Sequence, residues 1–267
     1  MNLNAFIANN SEKPLDNIVS DGGFCGIFKT ITCVGDSLSA GEFEAYNKEG
    51  EKSYHDFYEY SWGNYLSNIT GAKVNIFARG GMTAKEYMDS YAEKNNLWDK
   101  EKASQAYIIA LGANDLLNKK MQVEVGNISD VNFVNGTELR ETFAGYYGAL
   151  VLKLKEISPK AKFFFMTMPM SDGETTEVRS LKDAHAELLY TFADRFSNSY
   201  VLDFRKYAPI YDKEFKSNFY LGGHMNPCGY MLTAKMVASY IDYIIRHNVK
   251  DFKEVAFIGT DLMYTRF

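Results

Sequence analysis

Short apolar runs of the β type alternate with helical patterns along most of this chain. The runs cover residues 27–34, 73–77, 106–111, 162–168 and 200–204, and the helical patterns cover residues 61–70, 138–157, 177–196 and 229–247. Buried strands separated by helices are typical of a parallel sheet, in which right-handed crossovers place helices on both faces. The alternation therefore predicts an α/β fold with a five-stranded parallel sheet.

The first apolar run is followed by Gly35, Asp36 and Ser37. A buried run that stops at a glycine is expected to lead into a helix, which places Ser37 at the carboxyl end of a strand. In an open parallel sheet, ligands bind at that edge. A serine there can act as a nucleophile, or it can simply cap the next helix.

Two other apolar runs end in the same way. Gly81 follows the second run, and Thr83 and Glu86 then have capping-box spacing, so the N–H of Gly81 is expected to face the crevice. Asn114 follows the third run. Glycine lets the main chain approach a substrate closely, and asparagine supplies a neutral NH₂ donor. Each residue alone is equally consistent with an ordinary turn.

A nucleophilic serine needs a base, and histidine is the usual one. His185 and His247 fall in predicted helices, and His55 lies in a polar stretch. His224 alone lies in a glycine-flanked loop before the final helix, where its side chain can return over the carboxyl edge of the sheet. We therefore predict that His224 is the base.

These four residues occur in motifs that resemble those of the GDSL or SGNH hydrolase family. The motifs are Gly35-Asp36-Ser37-Leu38, Arg79-Gly80-Gly81-Met82-Thr83, Gly112-Ala113-Asn114-Asp115 and Gly222-Gly223-His224-Met225-Asn226-Pro227. They stand in the family's order and together span residues 35 to 230. The resemblance implies catalytic Ser37 and His224, with an oxyanion hole formed by the N–H groups of Ser37 and Gly81 and the amide of Asn114.

The resemblance also implies the architecture, a flavodoxin-like three-layer α/β/α sandwich. Ser39 stands where the Gly-x-Ser-x-Gly elbow of α/β-hydrolases has its second glycine, which favours the SGNH fold over that one. We expect a single domain over residues 27–267, with residues 1–26 as an arm packed on it. In the family pattern, Asp36 and Asp115 brace loops, so we give them a structural role.

One position departs from the family pattern. The family usually carries an aspartate three residues before the histidine, and Leu221 occupies that position here. A backbone carbonyl, a carboxylate from elsewhere or no group at all could take its place. Asp203 and Asp212 are candidates, but neither ranks above a carbonyl, and we expect a working Ser-His dyad.

The predicted function is that of a serine esterase or acylhydrolase, which cleaves a carboxylic ester through an acyl-enzyme. The resemblance implies small-acyl esters such as O-acetyl groups on carbohydrate, although the family also includes lipases, thioesterases and lysophospholipases. Two alternatives are a non-catalytic ligand-binding protein, which Leu221 favours, and an acyltransferase to a sugar hydroxyl. Residues 41–60 are predicted to form a loop that is either a substrate wall or a mobile surface segment, and residues 118–137 an insertion or flap.

Composition limits the partners. A net charge of -5 provides no basic stripe for nucleic acid. An odd number of cysteines (Cys25, Cys33 and Cys228) favours a cytoplasmic protein, residues 1–10 lack the pattern of a signal peptide, and no apolar run suggests a membrane span. No cofactor or metal motif is present. We expect a small-molecule or glycan ester as the partner, and the sequence does not indicate an oligomeric state.

Overall fold

The computed structural model describes residues 7–9, 11–134 and 139–264. Parts of four predicted segments lie outside these described residues. They are the arm (1–6 and 10), the insertion (135–137), the start of the helix at 138–157 and the last residues of the domain (265–267).

Five parallel strands form the central sheet of the described residues. The strands of the chain are β1 (Thr30–Gly35), β2 (Glu42–Tyr46), β3 (Lys52–Asp56), β4 (Lys73–Ala78), β5 (Ala106–Ala110), β6 (Lys162–Met166), β7 (Ser199–Leu202), β8 (Tyr220–Leu221) and β9 (His224–Met225). The sheet order is β4-β1-β5-β6-β7, which is the flavodoxin-like order when its strands are counted along the chain. The five predicted strands are confirmed.

Helices flank this sheet. They are α1 (Ser37–Ala40), α2 (Trp62–Thr70), α3 (Ala84–Glu86), α4 (Ala92–Lys94), α5 (Ala113–Leu117), α6 (Phe143–Ile157), α7 (Thr176–Arg195), α8 (Phe204–Tyr207), α9 (Lys213–Phe219) and α10 (Pro227–His247). Helix α2 packs against α10, α3 packs against α6, and α5 packs against α7. The predicted three-layer α/β/α arrangement is confirmed.

The sheet is buried as the apolar runs predict. Phe163, Phe164 and Phe165 of β6 are fully buried, as expected for a strand covered on both faces. Helix α10 begins with Pro227 at its first turn, and the side chain of Asn226 accepts a hydrogen bond from the N–H of Gly229. This cap fixes the point at which the loop carrying His224 enters the final helix.

The segment predicted as a loop at residues 41–60 is instead a β-hairpin formed by β2 and β3. Glu42 pairs with Asp56, and Glu44 pairs with Tyr54. Successive side chains on a strand point to opposite faces, so Glu42 and Glu44 share one face and Phe43 occupies the other. The ring of Phe43 packs against those of Phe57, Tyr60 and Tyr230. This aromatic cluster anchors the hairpin, which the polar composition of the segment concealed.

The described part of the arm lies against α10. The N–H of Val19 donates to Oγ of Ser239 at 3.0 Å, and the N–H of Phe24 donates to Oδ1 of Asp242 at 2.8 Å. These contacts support the division into an arm at 1–26 and a single domain at 27–267, which stays a prediction. In the part of the chain that the structure describes, no helix is both long and apolar enough to cross a membrane.

Candidate active site

Three of the predicted site residues follow neighbouring strands at one edge of the sheet. Gly35 at the end of β1 pairs with Ala78 of β4 on one side and with Ala110 of β5 on the other. Ser37 therefore lies between the turn that contains Gly81, after β4, and the start of α5, which contains Asn114, after β5. The parallel register brings these three residues together from separate parts of the chain.

Ser37 is the first residue of α1. Asp36 caps this helix, and its Oδ1 accepts a hydrogen bond from the N–H of Leu38 at 3.1 Å. A residue in the first turn of a helix has no intrahelical acceptor for its N–H. Within the described residues, neither the N–H nor the hydroxyl of Ser37 has a hydrogen-bond partner. Both groups are therefore available to a substrate.

The other two proposed donors are Gly81 and Asn114, and a hydrogen bond connects Asn114 to the residue that follows Gly81. Gly81 has φ = 75°, in the left-handed region that favours glycine, and its N–H has no acceptor among the residues described. The amide of Asn114 donates one hydrogen bond, to the carbonyl of Met82 at 3.0 Å. An amide has two N–H groups, so one of them remains for a ligand.

Asp36, which follows β1, and Asp115, which lies in α5, are both buried. Oδ1 of Asp115 accepts a hydrogen bond from the N–H of Ala84 at 2.8 Å, which ties α5 to the start of α3. Burial raises the pKa of Asp115 to about 7 and the pKa of Asp36 to about 6. These contacts with loop and helix backbone are those of braces, and they support the predicted structural role.

His224 lies on β9, which contacts both α1 and β2. Its Nε2 lies 3.0 Å from Oε1 of Glu42, and its Nδ1 lies 3.5 Å from Oε1 of Glu44. The second distance is long for a hydrogen bond. Among the described residues there is no hydrogen bond between His224 and Ser37.

The groups beside the ring of His224 are carboxylates, one of the three alternatives that the sequence left open, but they are not those of the two aspartates considered. The polar neighbours in the described chain are the carboxylates of Glu42 and Glu44. Asp203 accepts hydrogen bonds from Thr167, Tyr190 and Lys206, whereas Asp212 caps α9, and neither contacts His224. Leu221, at the position where the family usually has an aspartate, is 54% exposed.

Glu42 and Glu44 were therefore not among the site residues predicted from the sequence. The hydrogen bond from Lys52, 2.6 Å from Oε2 of Glu44, lowers the pKa of that carboxyl. Burial raises the pKa of Glu42, and the positive charge of a protonated His224 opposes this rise. The alternation of polar and apolar residues from Glu42 to Tyr46, followed by a glycine turn, was the available signal for a hairpin.

An open groove of about 370 Å³ adjoins Gly81, one of the three proposed oxyanion donors. It is lined by acidic, basic and hydroxyl-bearing side chains and by two glycines: Glu42, Tyr54, Asp56, Arg79, Gly80 and Gly81. The groove leads from the face of Gly81 to Glu42, which contacts His224. Within the described ranges, no group of three or more His, Cys, Asp or Glu side chains could hold a metal ion.

Comparison with known proteins identifies a family and a fold. The model of the GDSL-like lipase/acylhydrolase family matches residues 33–232, which is most of the chain. A family two carbohydrate esterase from Clostridium thermocellum, solved in complex with cellohexaose, is 17% identical, with a TM-score of 0.55 over 91% of this chain and 67% of that one. No curated protein sequence matches.

Two further solved structures share the fold. A carbohydrate esterase family 2 enzyme with a carbohydrate-binding domain, from Corynascus thermopiles (Myceliophthora fergusii), is 16% identical, with a TM-score of 0.53 over 80% of this chain and 65% of that one. The acetyl xylan esterase AlAXEase is 17% identical, with a TM-score of 0.51 over 79% of this chain and 99% of that one. At these identities the likeness shows the fold alone.

Proposed function

The chain belongs to the GDSL-like lipase/acylhydrolase family, and from this membership we propose that it is a serine esterase with Ser37 as nucleophile and His224 as base. One observation carries the proposal. Ser37 lies between the turn of Gly81 and the start of α5, and each of these offers an unused donor. The donors are the N–H of Gly81 and the second amide N–H of Asn114. A serine with its own N–H and two further donors beside it matches the requirements of acyl transfer.

In the proposed reaction, Oγ of Ser37 attacks the ester carbonyl carbon while Nε2 of His224 takes the hydroxyl proton. The carbonyl oxygen becomes an oxyanion, which accepts hydrogen bonds from the N–H groups of Ser37 and Gly81 and from the amide of Asn114. Collapse of this intermediate breaks the bond to the alcohol, which receives the proton from His224. Water then attacks the acyl-enzyme by the same route and releases the acid.

The contact between His224 and Glu42 must be exchanged during this reaction. Nε2 lies 3.0 Å from Oε1 of Glu42, so Glu42 competes with the hydroxyl of Ser37 for this nitrogen in the substrate-free state. Catalytic hydrogen bonds are often long or misaligned without substrate and tighten in the reacting complex. We expect substrate in the groove to displace Glu42, which leaves Nε2 free for the hydroxyl of Ser37.

The proposed substrate is a short-acyl ester of a polar alcohol, such as an O-acetyl group on carbohydrate. Its support is the groove beside Gly81, whose side chains are charged or hydroxyl-bearing (Glu42, Tyr54, Asp56 and Arg79). Such a lining suits the hydroxyl groups of a sugar better than a long acyl chain. The carbohydrate esterases with the same fold are consistent with this choice.

Hydrolysis of p-nitrophenyl acetate tests the proposal. We expect Ser37→Ala and His224→Ala each to abolish turnover without unfolding, because neither change leaves a nucleophile and a base together. Ser39→Ala is the matched control, since Ser39 lies on the same short helix and its buried hydroxyl lacks a partner in the described chain. Turnover by Ser37→Ala at the wild-type rate would contradict the assignment.

Two alternatives are separated by further assays. A non-catalytic binding protein would bind acetylated sugars without releasing acetate. An acyltransferase would move the acetyl group to an added glycan faster than to water. We expect acetate release in the absence of any glycan acceptor. The cytoplasmic location stays a prediction.

A further inference from the structure

The ring of His224 has a buried nitrogen that faces one acceptor. Its Nδ1 is buried, and within the described residues no group lies within normal hydrogen-bond geometry of it. The nearest charged atom is Oε1 of Glu44 at 3.5 Å. Because a buried polar atom without a partner is costly, we expect Nδ1 to be used in the working enzyme.

Two contacts hold the side chain of Glu44 beside His224, although Glu44 lies on β2, far from His224 in the sequence. Its Oε1 accepts a hydrogen bond from the N–H of Gly223 at 2.6 Å, and its Oε2 lies 2.6 Å from Nζ of Lys52. The side chain of Glu44 is 8% exposed. Lys52 lowers the pKa of this carboxyl, so Glu44 stays ionised at neutral pH.

The loop that carries His224 is shaped around this carboxylate. A Cβ atom on Gly222 would overlap Oε2 of Glu44, and a Cβ atom on Gly223 would overlap Oε1. A larger residue at either position would require the Glu44 carboxylate to leave its observed place. Gly222 and Gly223 therefore leave space for the Glu44 side chain in addition to forming the turn before His224.

We propose that Glu44, supplied by the β2–β3 hairpin, is the carboxylate that positions His224, in place of the aspartate missing at Leu221. The role, which rests on the proposed function, is to accept a hydrogen bond from Nδ1–H. That bond fixes the tautomer in which Nε2 carries the lone pair, and the negative charge stabilises the imidazolium that forms when Ser37 loses its proton.

Glu42 does not suit this role, although it is closer to the ring. It contacts Nε2. If Glu42 held a proton on Nε2, the basic nitrogen would be Nδ1, which is buried and directed at Glu44. A base in that orientation would direct its lone pair at the carboxylate of Glu44, so of the two carboxylates beside the ring it is Glu44 that can hold it while Nε2 accepts a proton.

The ring tautomer of His224 gives a test that is made on the wild-type protein. Nitrogen-15 NMR of the wild-type protein, recorded at the alkaline end of its activity profile where the ring is neutral, distinguishes the protonated nitrogen from the bare one. We expect the proton on Nδ1. A proton on Nε2 would overturn the proposal in favour of Glu42. The His224→Gln variant lacks the ring signals of His224, so comparison with it assigns those signals in the wild-type spectrum.

The variant Glu44→Gln gives the kinetic test. It preserves shape and removes the charge, and loss of the orienting carboxylate costs about 10⁴-fold in kcat in serine proteases. Because the contact is long here, we expect kcat to fall by between about 10²- and 10⁴-fold in a protein that stays folded, with KM unchanged. A purely structural residue would lower thermal stability without such a loss of kcat, whereas a substrate-binding residue would raise KM.

Glu49→Gln is the control, because Glu49 is exposed in the turn of the same hairpin and its side chain does not contact His224. Wild-type kcat in Glu44→Gln would overturn the proposal. If the wild-type protein itself neither hydrolyses p-nitrophenyl acetate nor reacts with a fluorophosphonate, the proposed function fails instead. The two failures are therefore distinguishable.

Discussion

The N–H of Gly223 donates a 2.6 Å hydrogen bond to Oε1 of Glu44, which joins residues that are 179 positions apart in the sequence. The bond connects the hairpin that follows the nucleophile to the loop that carries His224. Because Gly223 immediately precedes His224, any change that moves Glu44 also moves the base.

Gly223→Ala should therefore damage catalysis. The added methyl group would overlap Oε1 of Glu44, so either the carboxylate or the histidine loop must shift. We expect a fall in kcat for p-nitrophenyl acetate of about 10-fold or more, since a displacement of about 1 Å at a catalytic group costs up to about 10²-fold.

Gly26→Ala provides the comparison for this variant. A Cβ atom at Gly26 would lie 3.6 Å from the carbonyl oxygen of Thr70, an ordinary contact far from the site. We expect wild-type kcat in Gly26→Ala. Equal activity in both variants would show that the contact between Gly223 and Glu44 has no part in catalysis.

An aspartate at position 221 should compensate for the loss of Glu44. Leu221 and His224 are directly paired between β8 and β9, where opposed Cβ atoms are about 4.5–5.5 Å apart. In a Glu44→Gln background, Leu221→Asp should raise kcat because a carboxylate again comes within reach of the ring. Leu221→Asn, which has the same shape without the charge, should not. Equal kcat for these two double variants would contradict the expectation.

The pH dependence of stability should report on the buried carboxyl of Asp115. Its pKa in the folded protein is raised to about 7, above the value of the unfolded chain, so its contribution to stability is complete at low pH and is lost as the pH rises towards and through 7. Asp115→Asn keeps an oxygen for the N–H of Ala84 but cannot ionise. Relative to wild type, this variant should gain stability with rising pH, by at most about 4 kcal/mol.

Thermal unfolding between about pH 4 and about pH 8 measures this gain, with each kcal/mol worth about 2–4 °C for a chain of this size. Asp99→Asn is the control, because Asp99 is exposed. A difference between Asp115→Asn and wild type that does not change with pH would show that Asp115 keeps an ordinary pKa.

Asn114→Ala should lower kcat more than it raises KM. Its free N–H is proposed to bind the oxyanion, which exists only in the transition state and the intermediate. We expect a loss of about 10²- to 10³-fold in kcat. Asn95→Ala is the control, since Asn95 is exposed and, within the described part of the chain, its amide donates to no acceptor other than the carbonyl of Tyr91. An effect confined to KM would identify Asn114 as a substrate-binding residue.

The sheet was predictable because its strands are locally encoded. The strand that precedes Ser37 is apolar and stops at Gly35, and a parallel register then places the residues after neighbouring strands side by side. Ser37, Gly81 and Asn114 could be selected on that basis. The contacts of Glu44 could not be predicted in this way, because they depend on how a hairpin packs against a loop far along the chain. Nothing in the local pattern around Glu44 or His224 specifies that packing.

The proposed mechanism requires Ser37 to be an activated nucleophile, which covalent labelling can detect. A fluorophosphonate reacts with a serine that has a working base, and mass spectrometry of the digested protein locates the adduct. We predict a single adduct on Ser37 in the wild-type protein, a strongly slowed reaction in His224→Ala and no adduct in Ser37→Ala. An intact, folded wild-type protein that remains unlabelled, or that carries the adduct on another residue, would contradict this account.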